Sequence, residues 1–178
     1  PQGTTYRALT ALDSAFTNPS SSDTTDTTIT TVSVNANTTY YFRISASPFS
    51  NYSSILSTAT LAAAPAITHL VVNAGSMTVT LDRGADPAGT LSRVIASSGL
   101  PQVDFSSAGI LTSSQFDFTL TGLQPNTTYA VAADAFNWQN LVSSRTVFST
   151  ATAANPPYSA DFSNVALSSI TLAWPSNG

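Results

Sequence analysis

The sequence predicts an all-β protein built from sandwiches of short antiparallel strands. Apolar residues recur at every second position in several segments, among them 40–46, 77–81, 116–120 and 170–174, and a period of two is typical of half-buried strands. Turn-forming proline, glycine, asparagine and serine separate these segments at the spacing of a β-sandwich. No long stretch keeps the period of an amphipathic helix.

A long internal repeat divides the chain. Residues 34–40 recur as residues 123–129, with Asn-Thr-Thr-Tyr at the end of both, and residues 57–60 recur as 149–152. Residues 1–4 match residues 87–90 in the pattern Pro-x-Gly-Thr. The repeating unit is therefore roughly 90 residues long, a length that suits one β-sandwich.

The second copy of this motif, Leu123-Gln-Pro-Asn-Thr-Thr-Tyr129, resembles the segment that leads into the F strand of fibronectin type III domains, which are immunoglobulin-like sandwiches. Residues 34–40 carry a looser form. The resemblance implies tandem domains of this kind. Trp174 is similar to the B-strand tryptophan of the family and Tyr6 to its C-strand tyrosine. The middle repeat has Leu81 and Ser92 instead, so we expect its core to use Phe105, Phe116 and Phe118.

In that topology the boundaries of the predicted domains do not coincide with the ends of the chain. Residues 1–62 supply strands C to G of a partial unit, residues 63–154 form a complete unit, and residues 155–178 supply strands A and B of a further unit or of a neighbouring copy. We expect this last segment to complete the incomplete sandwich of a neighbouring copy, because a sandwich without two strands exposes its core and unpaired edges. The residues that would fill it are Val165, Leu167, Ile170, Leu172 and Trp174.

Two routes to this completion remain open. The chain continues covalently from Gly178 into another Pro1, as part of a tandem repeat, or the strands are donated between subunits, as in pilus-type strand complementation. Both routes make a head-to-tail contact that does not close, and such contacts generate filaments.

The composition excludes several functions. Charged residues make up 8% of the chain, the net charge is −4, and there is no cysteine. Lysine and glutamate are also missing, and His69 is the one histidine. We therefore expect no disulfide, no metal centre, no cofactor and no enzymatic activity. An acidic chain lacks a nucleic-acid footprint, and its longest apolar run, residues 61–67, is far shorter than the roughly 20 residues of a membrane-spanning helix, so we expect no membrane insertion.

Large aromatic side chains cluster in the two predicted F–G loops: Phe49 and Tyr52 in the first, and Phe136 and Trp138 in the second. Loops at the end of a sandwich meet the next domain, so these rings are candidates for an interface with a neighbouring unit or subunit. The alternative is that they stack on sugar rings, with the loop amides bonding the sugar hydroxyls.

Other polar motifs are weaker signals. Asn37, Asn51 and Asn126 each begin an Asn-x-Ser/Thr sequon and are candidate glycosylation sites. Residues 20–31 are rich in hydroxyls, and we expect an exposed loop there, open to O-glycosylation. The acidic pairs Asp23/Asp26 and Asp82/Asp86 lack the pattern of a calcium loop.

These observations predict a structural and interaction repeat of an extracellular, bacterial surface protein that assembles head-to-tail into a filament or extended array. The first alternative is a carbohydrate-binding or adhesive module that uses the F–G loop aromatics to bind an extracellular polysaccharide. The second is an accessory array of a secreted polysaccharide hydrolase.

Overall fold

The computed structural model describes residues 3–98 and 109–175, and all regular secondary structure in these residues is β-strand. The prediction of an all-β fold is confirmed. Among these residues there is no helix of the length and hydrophobicity needed to cross a membrane.

Thirteen strands are described. The first four are β1 (Tyr6–Ala11), β2 (Ser20–Thr24), β3 (Thr39–Ala46) and β4 (Leu56–Ala59). The next seven are β5 (Ala66–Val72), β6 (Ser76–Asp82), β7 (Leu91–Ser97), β8 (Gly109–Ser113), β9 (Asp117–Thr121), β10 (Thr128–Phe136) and β11 (Thr146–Ala151). The last two are β12 (Asp161–Val165) and β13 (Ile170–Ala173).

The chain forms two compact units. The first comprises Pro1–Pro65, Arg83–Ser92 and Asp134–Arg145, and the second comprises Ala66–Asp82, Arg93–Ala133 and Thr146–Gly178. The strands form four sheets in the described residues, with the orders β2-β1-β3-β4, β5-β6-β9, β11-β10-β7-β8 and β12-β13. The strand pairs within them are antiparallel wherever their register is given.

The second unit has a packed core in which β6, β7, β9 and β10 meet. The alternation in β6 is confirmed, because Met77, Val79 and Leu81 are buried and the residues between them are not. Phe118 and Val131 pack in the same cluster. Burial of a side chain of this size contributes about 1.5–3 kcal/mol, so this cluster holds the unit together.

Two expectations about local structure are wrong. Phe116 is 44% exposed and does not join the core that Phe118 enters, although its carbonyl accepts a hydrogen bond from the Leu81 N–H; Phe105 lies outside the described residues. Residues 20–24 form strand β2 rather than part of a loop, since their backbone pairs with β1. Their side chains are nevertheless mostly exposed, in keeping with the run of hydroxyls.

The turn before the F strand has the same geometry in both repeats. The Tyr40 hydroxyl accepts a hydrogen bond from the Asn35 N–H at 2.9 Å, and the Tyr129 hydroxyl accepts one from the Gln124 N–H at 2.9 Å. Left-handed backbone recurs as well, at Ser33 and Gly122 and at Asn37 and Asn126. The repeat found in the sequence is therefore a repeat of three-dimensional structure from residue 33 onward.

Candidate functional site

The exposed hairpin β12–β13 has the same construction as the hairpin β5–β6 in the second unit. Val165 pairs with Ile170 as Val72 pairs with Met77, and the registers agree for the first two pairs from the turn. The irregularity in β12 lies at Ser163, two residues nearer the turn than the irregularity at Thr68 in β5. The turns also match, because the Ala166 N–H donates to the Ser169 carbonyl at 2.8 Å and the Asn73 N–H donates to the Ser76 carbonyl at 2.9 Å. The exposed hairpin therefore has Ile170, Leu172 and Trp174 at the positions of Met77, Val79 and Leu81 in β6.

The two hairpins differ in what covers their apolar residues. Met77, Val79 and Leu81 are 0%, 0% and 3% exposed, whereas Ile170, Leu172 and Trp174 are 66%, 49% and 55% exposed. Phe162, Val165 and Leu167 are exposed as well. Monomeric proteins rarely leave such a contiguous apolar patch open, and patches of this kind mark interaction sites.

The four-stranded sheet of the first unit has one apolar face that is largely uncovered. Ala8 lies opposite Ile44, and Thr10 lies opposite Phe42, so these side chains point to the same side. Ile44 is 46% exposed on this face. The other face carries the small cluster of Leu9, Ala11 and Phe16. Leu9 and Ala11 are therefore the buried residues of β1, whereas Ala8 and Thr10 are only partly buried.

A pocket of about 290 Å³ opens on this uncovered face. Its walls are formed by Tyr6, Ala8 and Ile44 on the sheet and by residues 24–29 beside it. Through the repeat, Ala8, Ile29 and Ile44 correspond to Val94, Phe118 and Ala133, which are core residues of the second unit. Three residues that line the pocket therefore occupy positions that belong to the core in the second unit.

Residues 28–32 complete the comparison. They correspond through the repeat to β9, which pairs with β6, yet they form no strand and their side chains are exposed. The first unit contains no described strand in the place of β6, so the backbone of this segment has no neighbour to pair with. The exposed loop predicted for residues 20–31 is thus found at residues 25–31.

Two buried asparagines organise the other end of the first unit. The side chain of Asn37 donates to the Thr90 hydroxyl at 2.8 Å and accepts from the Trp138 N–H at 2.8 Å. The Asn137 side chain donates to the carbonyls of Ala59 and Thr60. Both asparagines are almost completely buried, and buried amides whose hydrogen bonds are satisfied make the surrounding structure rigid.

The sequon asparagines occupy different environments. Asn37 is fully buried, and Nδ2, the atom that would carry a glycan, donates to Thr90. Asn51 and Asn126 are exposed. Both asparagines are followed by Thr-Thr-Tyr, so the sequence predicts the same role for both. The distant partners Thr90 and Trp138 make only Asn37 a buried residue.

The four loop aromatics do not form one surface of equivalent positions. The guanidinium of Arg7 stacks on Phe49 at 4.2 Å, and that of Arg43 stacks on Tyr52 at 4.3 Å. Phe49 has the left-handed backbone that Asn140 has in the other loop, and both N–H groups bond the carbonyl three residues back. Trp138 lies two residues before that position, so the two loops present their rings differently.

Trp138 is half-exposed and Phe136 is partly buried. Cη2 of Trp138 would lie 3.7 Å from a Cβ atom placed on Gly89, so the ring edge covers this glycine. The ring therefore combines a packing contact with an open face, and its geometry is compatible with either of the two roles considered for it.

The acidic residues that the structure describes do not assemble into a metal site. No group of three or more histidine, cysteine or acidic residues comes together within residues 3–98 and 109–175. Asp23 forms a two-pronged ion pair with Arg7 at 2.8 Å, and this hydrogen bonding holds the pKa of Asp23 below its ordinary value. Asp134 also pairs with an arginine, because Nε and Nη2 of Arg145 both donate to its Oδ2.

Asp86 is the buried acid with an unusual environment. Oδ1 accepts from the Ala63 N–H at 2.9 Å, but Oδ2 has no hydrogen-bond partner in the part of the chain that the structure describes. Burial raises the pKa of Asp86, against the lowering effects of the Ala63 bond and of the Arg83 charge. The folded state therefore binds this proton more tightly than the unfolded state does.

A raised pKa in the folded state means that ionised Asp86 costs stability above that pKa and that the cost disappears as the pH falls below it. We expect Asp86→Asn, which keeps the oxygen that accepts from Ala63, to raise the thermal midpoint relative to the unmodified chain at pH 7. The gain should shrink as both chains are unfolded at successively lower pH. An equal difference between the two chains across the acid range would contradict this assignment.

Comparison with known proteins bears on the fold. No protein-family model matches the sequence, and no curated protein matches it. Similar solved structures include a two-domain fibronectin type III segment from chicken tenascin, with 14% identity over 83% of this chain and 84% of that one and a TM-score of 0.52. This likeness confirms the predicted sandwich fold of the fibronectin type III kind.

Two further structures are similar over parts of the chain. The FN1–FN3 domains of chicken CNTN1 share 14% identity over 85% of this chain, which spans 55% of that segment, with a TM-score of 0.44. A computationally redesigned β-sandwich shares 24% identity over 51% of this chain and 95% of its own, with a TM-score of 0.43.

Proposed function

We propose that this chain is a structural and interaction segment of an extracellular array of sandwiches. In this array the hairpin β12–β13 of one copy covers the open sheet face of the first unit of the next copy. The observation that carries the proposal is the match between two incomplete halves. The exposed hairpin has the turn and the apolar positions of β5–β6. Residues of the open face correspond to the sheet residues against which β6 packs in the second unit.

Side-chain sizes support the match. At the position of Leu81 the hairpin has the larger Trp174, while the open face has the smaller Ala8 and Ile29 where the packed core has Val94 and Phe118. Protein cores tolerate such exchanges when the total volume is conserved. The pocket beside Ala8 and Ile29 is accordingly the place for the Trp174 ring.

The two halves lie on different parts of the chain, so each copy can donate at one end and accept at the other. A contact of this kind is heterologous and extends without closing. The low charge of the chain, 8% of residues, also leaves little electrostatic repulsion between copies. A covalent tandem repeat would make the same contact between consecutive segments of one polypeptide.

Sedimentation velocity at increasing concentration tests the proposal. We expect a ladder of species in multiples of the 18.4 kDa chain, because every added copy exposes a new hairpin and a new open face. A single monomeric species at all concentrations, or a dimer that does not grow, would contradict it.

Carbohydrate binding is the second candidate, and the half-exposed ring of Trp138 is the observation that favours it. Exposed aromatic faces stack on the C–H groups of sugars. For this function, Trp138→Ala should abolish retention on a polysaccharide affinity gel and leave the thermal midpoint nearly unchanged. A large loss of thermal stability would instead assign the ring to packing on Gly89.

A further inference from the structure

The segment 28–32 lies beside the open face and is the one part of the expected second sheet that the first unit itself supplies. We propose that docking of a second copy converts residues 28–32 into a β-strand that pairs with β13 of that copy. This inference rests on the proposed function and adds to it a folding step and a strand register.

The register follows from the second unit, where both strands are present. There β9 pairs with β6 so that Val79 lies opposite Phe118 and Thr78 lies opposite Thr119. The two threonine hydroxyls are 3.1 Å apart and share a hydrogen bond. This pair lies on the outer face of the sheet, and the Val79–Phe118 pair lies on the inner face.

Two structural features allow this register to be applied to the docked strands. The left-handed residue after β9, Gly122, corresponds to Ser33, which places Ile29 at the position of Phe118. The matched turns of the two hairpins place Leu172 at the position of Val79. Leu172 of the docking copy is then opposite Ile29, and Thr171 is opposite Thr30.

The residues at these positions suit the pairing. Leu172 and Ile29 are both apolar and fall on the inner face, as Val79 and Phe118 do. Thr171 and Thr30 reproduce the outer threonine pair of the second unit without any change of residue type. Cross-strand threonine and apolar pairs of this kind each stabilise a sheet by about 0.2–1 kcal/mol.

The backbone of β13 is also available. Within the described residues β13 pairs with β12 alone, so one of its edges is unpaired, and an unpaired edge is a template for another strand. Residues 28–32 gain the ladder hydrogen bonds that they lack in the free chain. Formation of this strand is therefore coupled to docking, which makes residues 28–32 a reporter of assembly.

Cysteine cross-linking tests the register, because the chain has no cysteine of its own. Thr30→Cys is mixed with an isotopically heavier Thr171→Cys chain under mild oxidation, and the mixed disulfide is measured by mass. Directly opposed residues in antiparallel strands have Cα atoms about 4.5–5.5 Å apart, within the range of a disulfide. We expect at least about 10-fold more mixed disulfide than from the control pair Thr31→Cys with Thr171→Cys, which is one residue out of register.

Hydrogen exchange of the unmodified chain provides a second readout. We expect the amides of residues 28–32 to exchange at least about 10-fold more slowly in the assembled chain than in the dilute monomer. If the sedimentation ladder forms but neither the disulfide preference nor this protection is found, the proposed strand and its register are wrong. The proposed head-to-tail array is then still supported by the ladder. If no ladder forms, the proposed function and this inference both fail.

Discussion

Leu172→Asp will prevent self-association and will leave the folded monomer intact. In the proposed contact Leu172 occupies the position of Val79, which is completely buried, and an unpaired carboxylate in such a site costs several kcal/mol. Since each 1.4 kcal/mol is a tenfold change in a binding constant, we expect the association constant to fall at least about 100-fold. Sedimentation velocity measures this loss.

Thr171→Asp is the matched control. It adds the same charge one residue away, on the outer face where Thr78 is partly exposed in the second unit. We expect it to reduce association only slightly and to leave the thermal midpoint of the monomer unchanged. Equal loss of association in both variants would show that charge, rather than burial at position 172, is responsible.

Asn37→Ala will destabilise the chain much more than Asn126→Ala. Both asparagines have left-handed backbone and donate their N–H to a carbonyl of the following strand region, that of Leu61 or Ala153, so the backbone cost of alanine is shared. Only Asn37 has buried side-chain bonds, to Thr90 and Trp138. Its removal leaves the Trp138 N–H without this acceptor, whereas the Thr90 hydroxyl still donates to the Pro87 carbonyl. One polar group left without a partner costs about 1–3 kcal/mol.

We therefore expect the free energy of unfolding to fall about 1–3 kcal/mol further for Asn37→Ala than for Asn126→Ala, as measured by urea denaturation. Asn37→Asp tests the geometry, because it retains the oxygen that accepts from Trp138 and loses the donor to Thr90. It should lie between the other two. Equal effects of the two alanine variants would mean that the Asn37 side chain contributes nothing beyond its turn.

The fold could be predicted because its determinants are local and repeated. Met77, Val79 and Leu81 alternate with threonines, and a period of two identifies a strand without reference to distant residues. The motif that ends in Tyr129 likewise predicted where strand β10 begins, at Thr128. The matching hairpin β12–β13 was predicted from Ile170, Leu172 and Trp174 in the same way.

The parts that could not be predicted depend on contacts between residues far apart in sequence. Asn37 and Asn126 are followed by the same residues in the chain, and only Thr90 and Trp138 make one of them a buried structural residue. Phe116 and Phe118 follow the same alternation, yet only Phe118 enters the core, and the local sequence does not distinguish them. The exposed loop at residues 28–31 was predicted from its hydroxyl-rich sequence, whereas strand β2 at residues 20–24 was not, because its pairing with β1 depends on residues distant in the chain.

The most direct test of the array uses two variants that each lack one half of the contact. Leu172→Asp removes the hairpin half, and Ile44→Asp places a charge on the open sheet face, where Ile44 is already partly exposed. Each variant alone should sediment as a monomer. Their equimolar mixture should form a heterodimer and nothing larger, because the intact hairpin of the second variant docks on the intact face of the first. A mixture that remains monomeric, or variants that still assemble alone, would contradict the head-to-tail completion of one sandwich by the next copy.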